Sequence, residues 1–218
     1  MNMNDYLADL VRNLSIDSSF AYQPEQFLEQ KIPFMAANCN RILDFGKSSR
    51  QHYAAFEKEQ ILTADINRFE DYPDIICDIC NFSTLPKEVF DGIICMSILE
   101  HVYDPIRAVE NIYALLKDKG YVLAYVPFLF KYHAPLNLYF QDFYRFSKDG
   151  IAYMFRDFTE LTVYPIRGRN STMLNLLPWW KRKIELKFGY RIDKWLDLFV
   201  WKKKSKLQVS GYYIWAQK

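Results

Sequence analysis

The stretch "ILDFGKSSRQHY", residues 42–53, is an apolar strand that ends at an acid and turns on one glycine into a helical run. Strand, acid and glycine open many nucleotide-binding α/β domains, in which the ligand lies outside the carboxyl end of the strand. Such loops normally carry two or three glycines, whereas the next candidate positions here hold Ser48 and Arg50. A G-x-G-x-x-G fingerprint would need glycine at 48 and 51, where Ser48 and Gln51 stand. Those glycines let a pyrophosphate approach backbone N–H groups at a helix start. Gly46 keeps the one turn position where a Cβ is worst tolerated. The loop therefore disfavours an NAD-dependent oxidoreductase more than it disfavours a ligand without phosphate.

Outward from this turn, short apolar runs alternate with helical stretches. "RILDF" (41–45), "ILTAD" (61–65), "DIICD" (74–78), "DGIICMS" (91–97) and "GYVLAYV" (120–126) have the pattern of strands buried on both faces. Between the last two, "DPIRAVENIYALLKDKG" (104–120) predicts a helix with Pro105 in its first turn, a stripe of Ile106, Val109, Ile112, Tyr113 and Leu116, and Gly120 after its end. Residues 4–14 predict an amphipathic helix. This alternation implies a parallel sheet with helical cover. After Pro127 the aromatic run 128–146 lacks a clean period and reads as a long functional loop. "SKDGIAYMF" (147–155) predicts a helix capped by Ser147; "FTELTVYPI" (158–166) and "VSGYYIWAQK" (209–218) predict further strands.

The chain of 218 residues suits one domain with a large core, and half of it is hydrophobic, with 17 Phe, 16 Tyr and 5 Trp. A net charge of +2 gives no overall attraction to nucleic acid. Neither a signal peptide nor a membrane-spanning run is expected, which points to the cytoplasm. Cys39, Cys77, Cys80 and Cys95 read as packed, reduced thiols. The lone C-x-x-C at 77–80 has no second ligand pair at a suitable spacing, so no metal site is expected.

Three acids end successive strands: Asp44, Asp65 and Asp78, with Asp65 placed 21 residues after Asp44. A carboxylate at Asp65 can accept from both ribose hydroxyls, and one at Asp78 from an adenine amino group. Of the three histidines, His101 follows the fourth strand and His133 lies in the aromatic loop with Asp142 and Arg145. His101 reads either as a helix-start residue bonded to backbone or as a pocket group. Arg145 suits either an anionic acceptor or an ion pair that holds the loop. Nothing suggests a Ser-His-Asp arrangement.

"ILDFG", "TADIN", "CDICNFSTLP", "FDGIICMSILEHVYDP" and "LLKDKGYVLAYVPF" resemble the successive motifs of class I S-adenosylmethionine-dependent methyltransferases, specifically the type 11 group. "HAPLNLYFQDFYRFSKDGI" resembles the histidine-then-DYWRFT stretch of members associated with bacterial glycan and cell-envelope biosynthesis, although Asp142 is spaced further from the histidine. The resemblance spans about 40–160 and the closing strand, and the single-glycine turn departs from the family's D-x-G-x-G pattern. It implies a Rossmann-like, seven-stranded, mostly parallel sheet with an antiparallel last strand. It further implies methyl transfer from S-adenosylmethionine to a small-molecule or glycan-type acceptor. Asp44, Gly46, Ser48, Asp65, Ile66, Asp78, Ile79 and Ser97 would then hold the donor, with His101, His133, Asp142 and Arg145 on the acceptor side.

Residues 178–206 form a basic, tryptophan-rich insertion before the last strand, with ten Lys/Arg against three acids between Lys181 and Lys206. Ile192, Trp195, Leu196, Phe199 and Val200 make one helical stripe. That composition fits peripheral membrane contact, a lid over the sheet or a homodimer surface. The expected organisation is one domain, with 1–40 as an N-terminal helical cap. The competing class is a non-catalytic partner subunit on the same fold, which the glycine-poor loop favours and the retained acids oppose.

Overall fold

A computed structural model describes residues 2–81, 83, 89–137, 139–176, 194, 195, 197 and 207–218. The described elements run α1 (Met3–Arg12), β1 (Ser15–Ile16), α2 (Pro24–Asn38), β2 (Ile42–Phe45), β3 (Ile61–Asp65), β4 (Ile75–Ile76), β5 (Phe90–Met96), α3 (Pro105–Leu115), β6 (Leu116–Pro127), α4 (Lys148–Met154), β7 (Glu160–Ile166), α5 (Arg169–Asn175) and β8 (Gly211–Gln217). Eight strands form one sheet in the order β1-β7-β8-β6-β5-β2-β3-β4. β8 runs antiparallel to β6 and β7, and the other pairs are parallel. The architecture is the Rossmann-like one expected.

The eighth strand is β1, which adds Ser15 and Ile16 to the edge beside Thr162 and Val163. Two exposed residues carry no period from which a strand can be read, and pairing alone makes them one. A second difference follows Gly46: Arg50–Ala55 is a 3₁₀ turn and not the expected α-helix.

Successive residues of the central strands point to opposite, separately covered faces. Ile93, Val122 and Ala124 face a core built with α3 and α4, while Ile42, Ile94 and Leu123 face Phe27, Leu28, Ile32 and Met35 of α2. That two-sided burial is why the strands read as continuous apolar runs. α3 begins where the sequence places it: the Asp104 side chain accepts from Arg107 N at 3.0 Å, with Pro105 in the first turn. Its buried stripe is Ala108, Val109, Ile112 and Leu115; Ile106 is exposed, and Leu116 already belongs to β6. α4 begins as expected, with Ser147 Oγ accepting from Gly150 N at 3.2 Å.

Of the basic insertion 178–206, only Lys194, Trp195 and Asp197 lie within the described residues. Asp197 is buried and accepts from Gly168 N (2.9 Å), Asn170 N (2.8 Å) and Ser171 Oγ (2.6 Å), which seats it at the start of α5. The predicted aromatic stripe otherwise lies outside the described residues. All four cysteines are free and buried. Burial pushes the Cys39 thiol up to about 12 and that of Cys77 up to about 11, so neither is a ready nucleophile. Among the described residues no helix is long and apolar enough to cross a membrane.

Candidate functional site

Parallel strands β2, β3 and β4 bring Asp44, Asp65 and Asp78 to adjacent carboxyl ends, the position a doubly wound sheet offers to ligands. The three carboxylates do different work. Asp44 is fully buried. Its Oδ1 accepts from Ser48 N (3.1 Å) and Ser48 Oγ (2.6 Å). Its Oδ2 accepts from Ser49 N (2.9 Å), Ser49 Oγ (2.8 Å) and Tyr53 OH (2.7 Å). Burial pushes its pKa up, and the donors pull it back. Ser48 Oγ also accepts from Met96 N at 3.1 Å, tying the loop to the end of β5. Asp44 and Ser48 thus organise the loop from within, and the Ser48 hydroxyl is already committed at both ends.

Hydrogen bonds take the place of the missing glycines. Gly46 has φ +70° and Lys47 φ +51°, so two successive left-handed residues make the turn that a richer loop would build with glycine. Gly46 N donates to Ala64 O at 2.8 Å, and an added Cβ would stand 2.5 Å from Ile98 Cδ1. Gly46→Ala is expected to lower stability by about 1–2 kcal/mol through left-handed strain and this contact. Chemical unfolding measures it, and an unchanged midpoint would show that the turn can re-form.

The other two acids are each held by a tyrosine absent from the sequence-based site. Asp65 accepts from Asn67 N (2.8 Å) and from Tyr72 OH, whose ring stacks on Phe69 at 4.8 Å. Asp78 accepts from Cys80 N (2.8 Å) and Tyr103 OH (2.7 Å). A carboxylate oxygen has two lone pairs, so both acids retain acceptor capacity. The phenol of Tyr103 is pushed up to about 12, first by its bond to Asp78. Only the abundance of tyrosine hinted at these partners. Ile66, beside Asp65, is 60% exposed, whereas the side chain of Ile79 is buried in the core and its carbonyl accepts from Asn111 Nδ2 at 2.7 Å. Ser97, just past β5, has φ +56°, a strained conformation at the mouth of the sheet.

A second cluster forms where the loop 128–146 crosses the end of β5. Arg145 spends all five of its donors within the loop. They reach Phe130 O (3.2 Å), Lys131 O (2.8 Å), Tyr144 O (2.8 Å) and both oxygens of Asp142. Of the two roles open to Arg145, the geometry therefore selects the loop brace. This bond holds the buried Asp142 carboxyl down at about 2. Asp142 also accepts from His133 N at 2.9 Å and stands 3.1 Å from His133 Nδ1.

His101 Nδ1 lies 2.5 Å from Gln141 O, and its Nε2 faces His133 Nε2 at 3.1 Å. The backbone contact at Nδ1 matches the first of the two readings of His101, while its other ring nitrogen faces His133. Burial lowers its pKa. Glu100 was missed entirely. It is 1% exposed, its Oε1 lies 3.8 Å from His101 Nε2, and its Oε2 has no hydrogen-bond partner among the described residues. Burial pushes its carboxyl up to about 8. Its position in "LEH" at a strand end was the available signal, but burial of an acid cannot be read from sequence. The loop joins the two clusters, since Phe140 packs on His101 at 4.5 Å while Tyr139 meets Phe69 at 5.8 Å.

Residues 16–158 match the family model described as a methyltransferase domain. No curated protein sequence matches the chain. Among solved structures, the chain is similar to a SAM-dependent methyltransferase from Archaeoglobus fulgidus, at 16% identity and TM-score 0.55 over 100% of both chains. It is also similar to phosphoethanolamine N-methyltransferase 2 of Haemonchus contortus, solved with S-adenosyl-L-methionine. That likeness has 15% identity and TM-score 0.56 over 98% of this chain and 56% of that one. A third is an S-adenosylmethionine-dependent methyltransferase from Mesorhizobium loti, at 12% identity and TM-score 0.53 over 88% and 97%. At such identities the likeness is one of fold.

Proposed function

Since the chain belongs to the methyltransferase-domain family, with S-adenosylmethionine as its cofactor, we propose that it transfers the donor's methyl group to a small-molecule acceptor at the carboxyl end of its sheet. The observation that carries this reading is the row of Asp44, Asp65 and Asp78 at adjacent strand ends, joined by one loop to the His101–His133 pair.

The donor set fits the group. Asp65 and Asp78 have lone pairs left for ribose hydroxyls and an adenine amino group, and Ile66 offers an exposed apolar side chain beside Asp65. The left-handed turn at Gly46 and Lys47, held by Asp44, would hold the methionine end of the donor. Ser97, directly after β5, would line the donor site. When bound, S-adenosylmethionine supplies a methyl group already activated on a sulfonium. The protein's part is then alignment and handling of the acceptor's proton, and alignment alone is worth several kcal/mol. His101 and His133 present the acceptor-side polar atoms, positioned by Gln141, Asp142 and Arg145. The glycan-type acceptor rests on the resemblance of the loop sequence. Peripheral membrane contact and dimerisation rest on the composition of 178–206.

Calorimetric titration with S-adenosylmethionine and S-adenosylhomocysteine tests this. Micromolar binding of both is expected, weakened about 100-fold in Asp65→Ala, the loss of two charge-assisted hydrogen bonds. A folded wild-type protein that binds neither at millimolar concentration would sink the reading.

A further inference from the structure

We propose that Glu100, His101 and His133 form a binding site for a divalent first-row transition-metal ion of the zinc class. One carboxylate oxygen and two ring nitrogens, one from each residue, lie within 4.8 Å of one another.

Proton placement makes the cluster unusual. A carbonyl can only accept, so His101 Nδ1 carries a proton for Gln141 O, and His101 Nε2 presents a lone pair. His133 Nδ1 has the Asp142 carboxylate at 3.1 Å and the more distant Arg145 Nη2 at 3.5 Å. The nearer anion favours a proton on that nitrogen too. Two lone pairs then face each other at 3.1 Å, beside a buried glutamate one of whose oxygens has no partner among the described residues. Two ring lone pairs and a carboxyl oxygen thus converge, and a cation that displaces the carboxyl proton is held by all three at once. Imidazoles whose far nitrogens are fixed by a backbone carbonyl and a carboxylate are the usual outer shell of metal-bound histidine.

The spacing suits such an ion. Two nitrogens each about 2.1 Å from a common zinc ion and separated as here would subtend roughly 95°. Two imidazoles among three ligands select a zinc-like ion over magnesium or calcium. Three protein ligands also leave open positions, where an acceptor oxygen would bind and ionise. Its proton passes to solvent, the oxygen pair forms the new O–CH3 bond, and the S–CH3 pair returns to sulfur as the neutral thioether. That use rests on the donor reading above; the binding of the ion does not.

Chelator-treated, full-length protein should bind one equivalent of Co2+ or Zn2+ per chain. The Co2+ complex should show visible d–d bands without a near-ultraviolet thiolate band, since no cysteine takes part. His133→Ala and the isosteric Glu100→Gln, each with unchanged circular dichroism, should weaken binding by at least about 100-fold, since orienting partners alone are worth about 10–100-fold. No stoichiometric binding, a thiolate band, or affinity unchanged in both variants would overturn the proposal. S-adenosylhomocysteine titrated into the same samples separates the two readings, because it probes Asp65 and not the histidine cluster.

Discussion

Asp44→Ala should lower the unfolding free energy by about 3–4 kcal/mol, because a fully buried carboxylate that serves several donors at once is removed. The side chain accepts from two backbone N–H groups, two serine hydroxyls and the Tyr53 phenol. Alanine leaves Ser48 N and Ser49 N without an acceptor, and a hydroxyl can reorient where an amide cannot. Release from the burial cost of the charge offsets part of the loss, which keeps the figure below a simple sum. Asp44→Asn sharpens the test. Its one carbonyl oxygen can serve one side of the loop, but its amide group then faces donors on the other side. An intermediate cost of about 1–2 kcal/mol follows. Urea unfolding should show midpoints in the order wild type, Asn, Ala. The alanine variant should fall by about 1–2 M, given a typical denaturant slope for a domain of this size. S-adenosylhomocysteine affinity should fall with it, because the turn at Gly46 loses its anchor. A stable Ala variant would mean that the 3₁₀ turn at Arg50–Ala55 holds the loop without Asp44.

Asp142→Ala should release the loop 128–146. The carboxylate is buried and takes a two-pronged bond from Arg145, a backbone bond from His133 and the His133 ring contact. Arg145 keeps 23% of its side chain exposed, so water can receive part of the guanidinium. We therefore expect a loss of about 2–3 kcal/mol, below the full cost of breaking a buried pair. Thermal unfolding should shift down by roughly 5–10 °C, and amide exchange across 128–146 should speed up while that of β5 and β6 stays slow. Arg145→Lys should not restore wild-type behaviour, because one ammonium cannot replace a planar fork that also reaches three carbonyls. Unchanged exchange in the loop would refute the role assigned to this pair.

Both variants separate what was legible in the chain from what was not. The order of strands and helices, the Ser147 cap, Pro105 in the first turn of α3 and the three acids at strand ends are local patterns, and each reappears in the fold. Gly46 was legible too, since φ +70° beside Ile98 is a demand a sequence meets with glycine. Asp44 was visible as an acid at a strand end, but its partners were not. Whether a carboxylate faces a ligand or turns back on its own loop depends on the path of residues 46–53, which no period encodes.

Pairing across long separations was decided by the tertiary structure alone. His101 and His133 are 32 residues apart and meet because the loop after β6 folds back over the end of β5. Tyr72 reaches Asp65 and Tyr103 reaches Asp78 through side-chain directions fixed only after the sheet has closed. Glu100 is buried because the 3₁₀ turn Leu99–His101 tucks under that same loop, and its carbonyl accepts from Phe143 N at 2.8 Å. β1 is a strand only because the edge of β7 is there to pair with it. By itself the sequence determined the layers of the fold and the end of the sheet at which chemistry is done, since hydrophobic period and turn chemistry act over a few residues. The tertiary structure decided which polar groups are satisfied and which are left converging, because burial and hydrogen-bond partners depend on segments that the chain brings together only on folding.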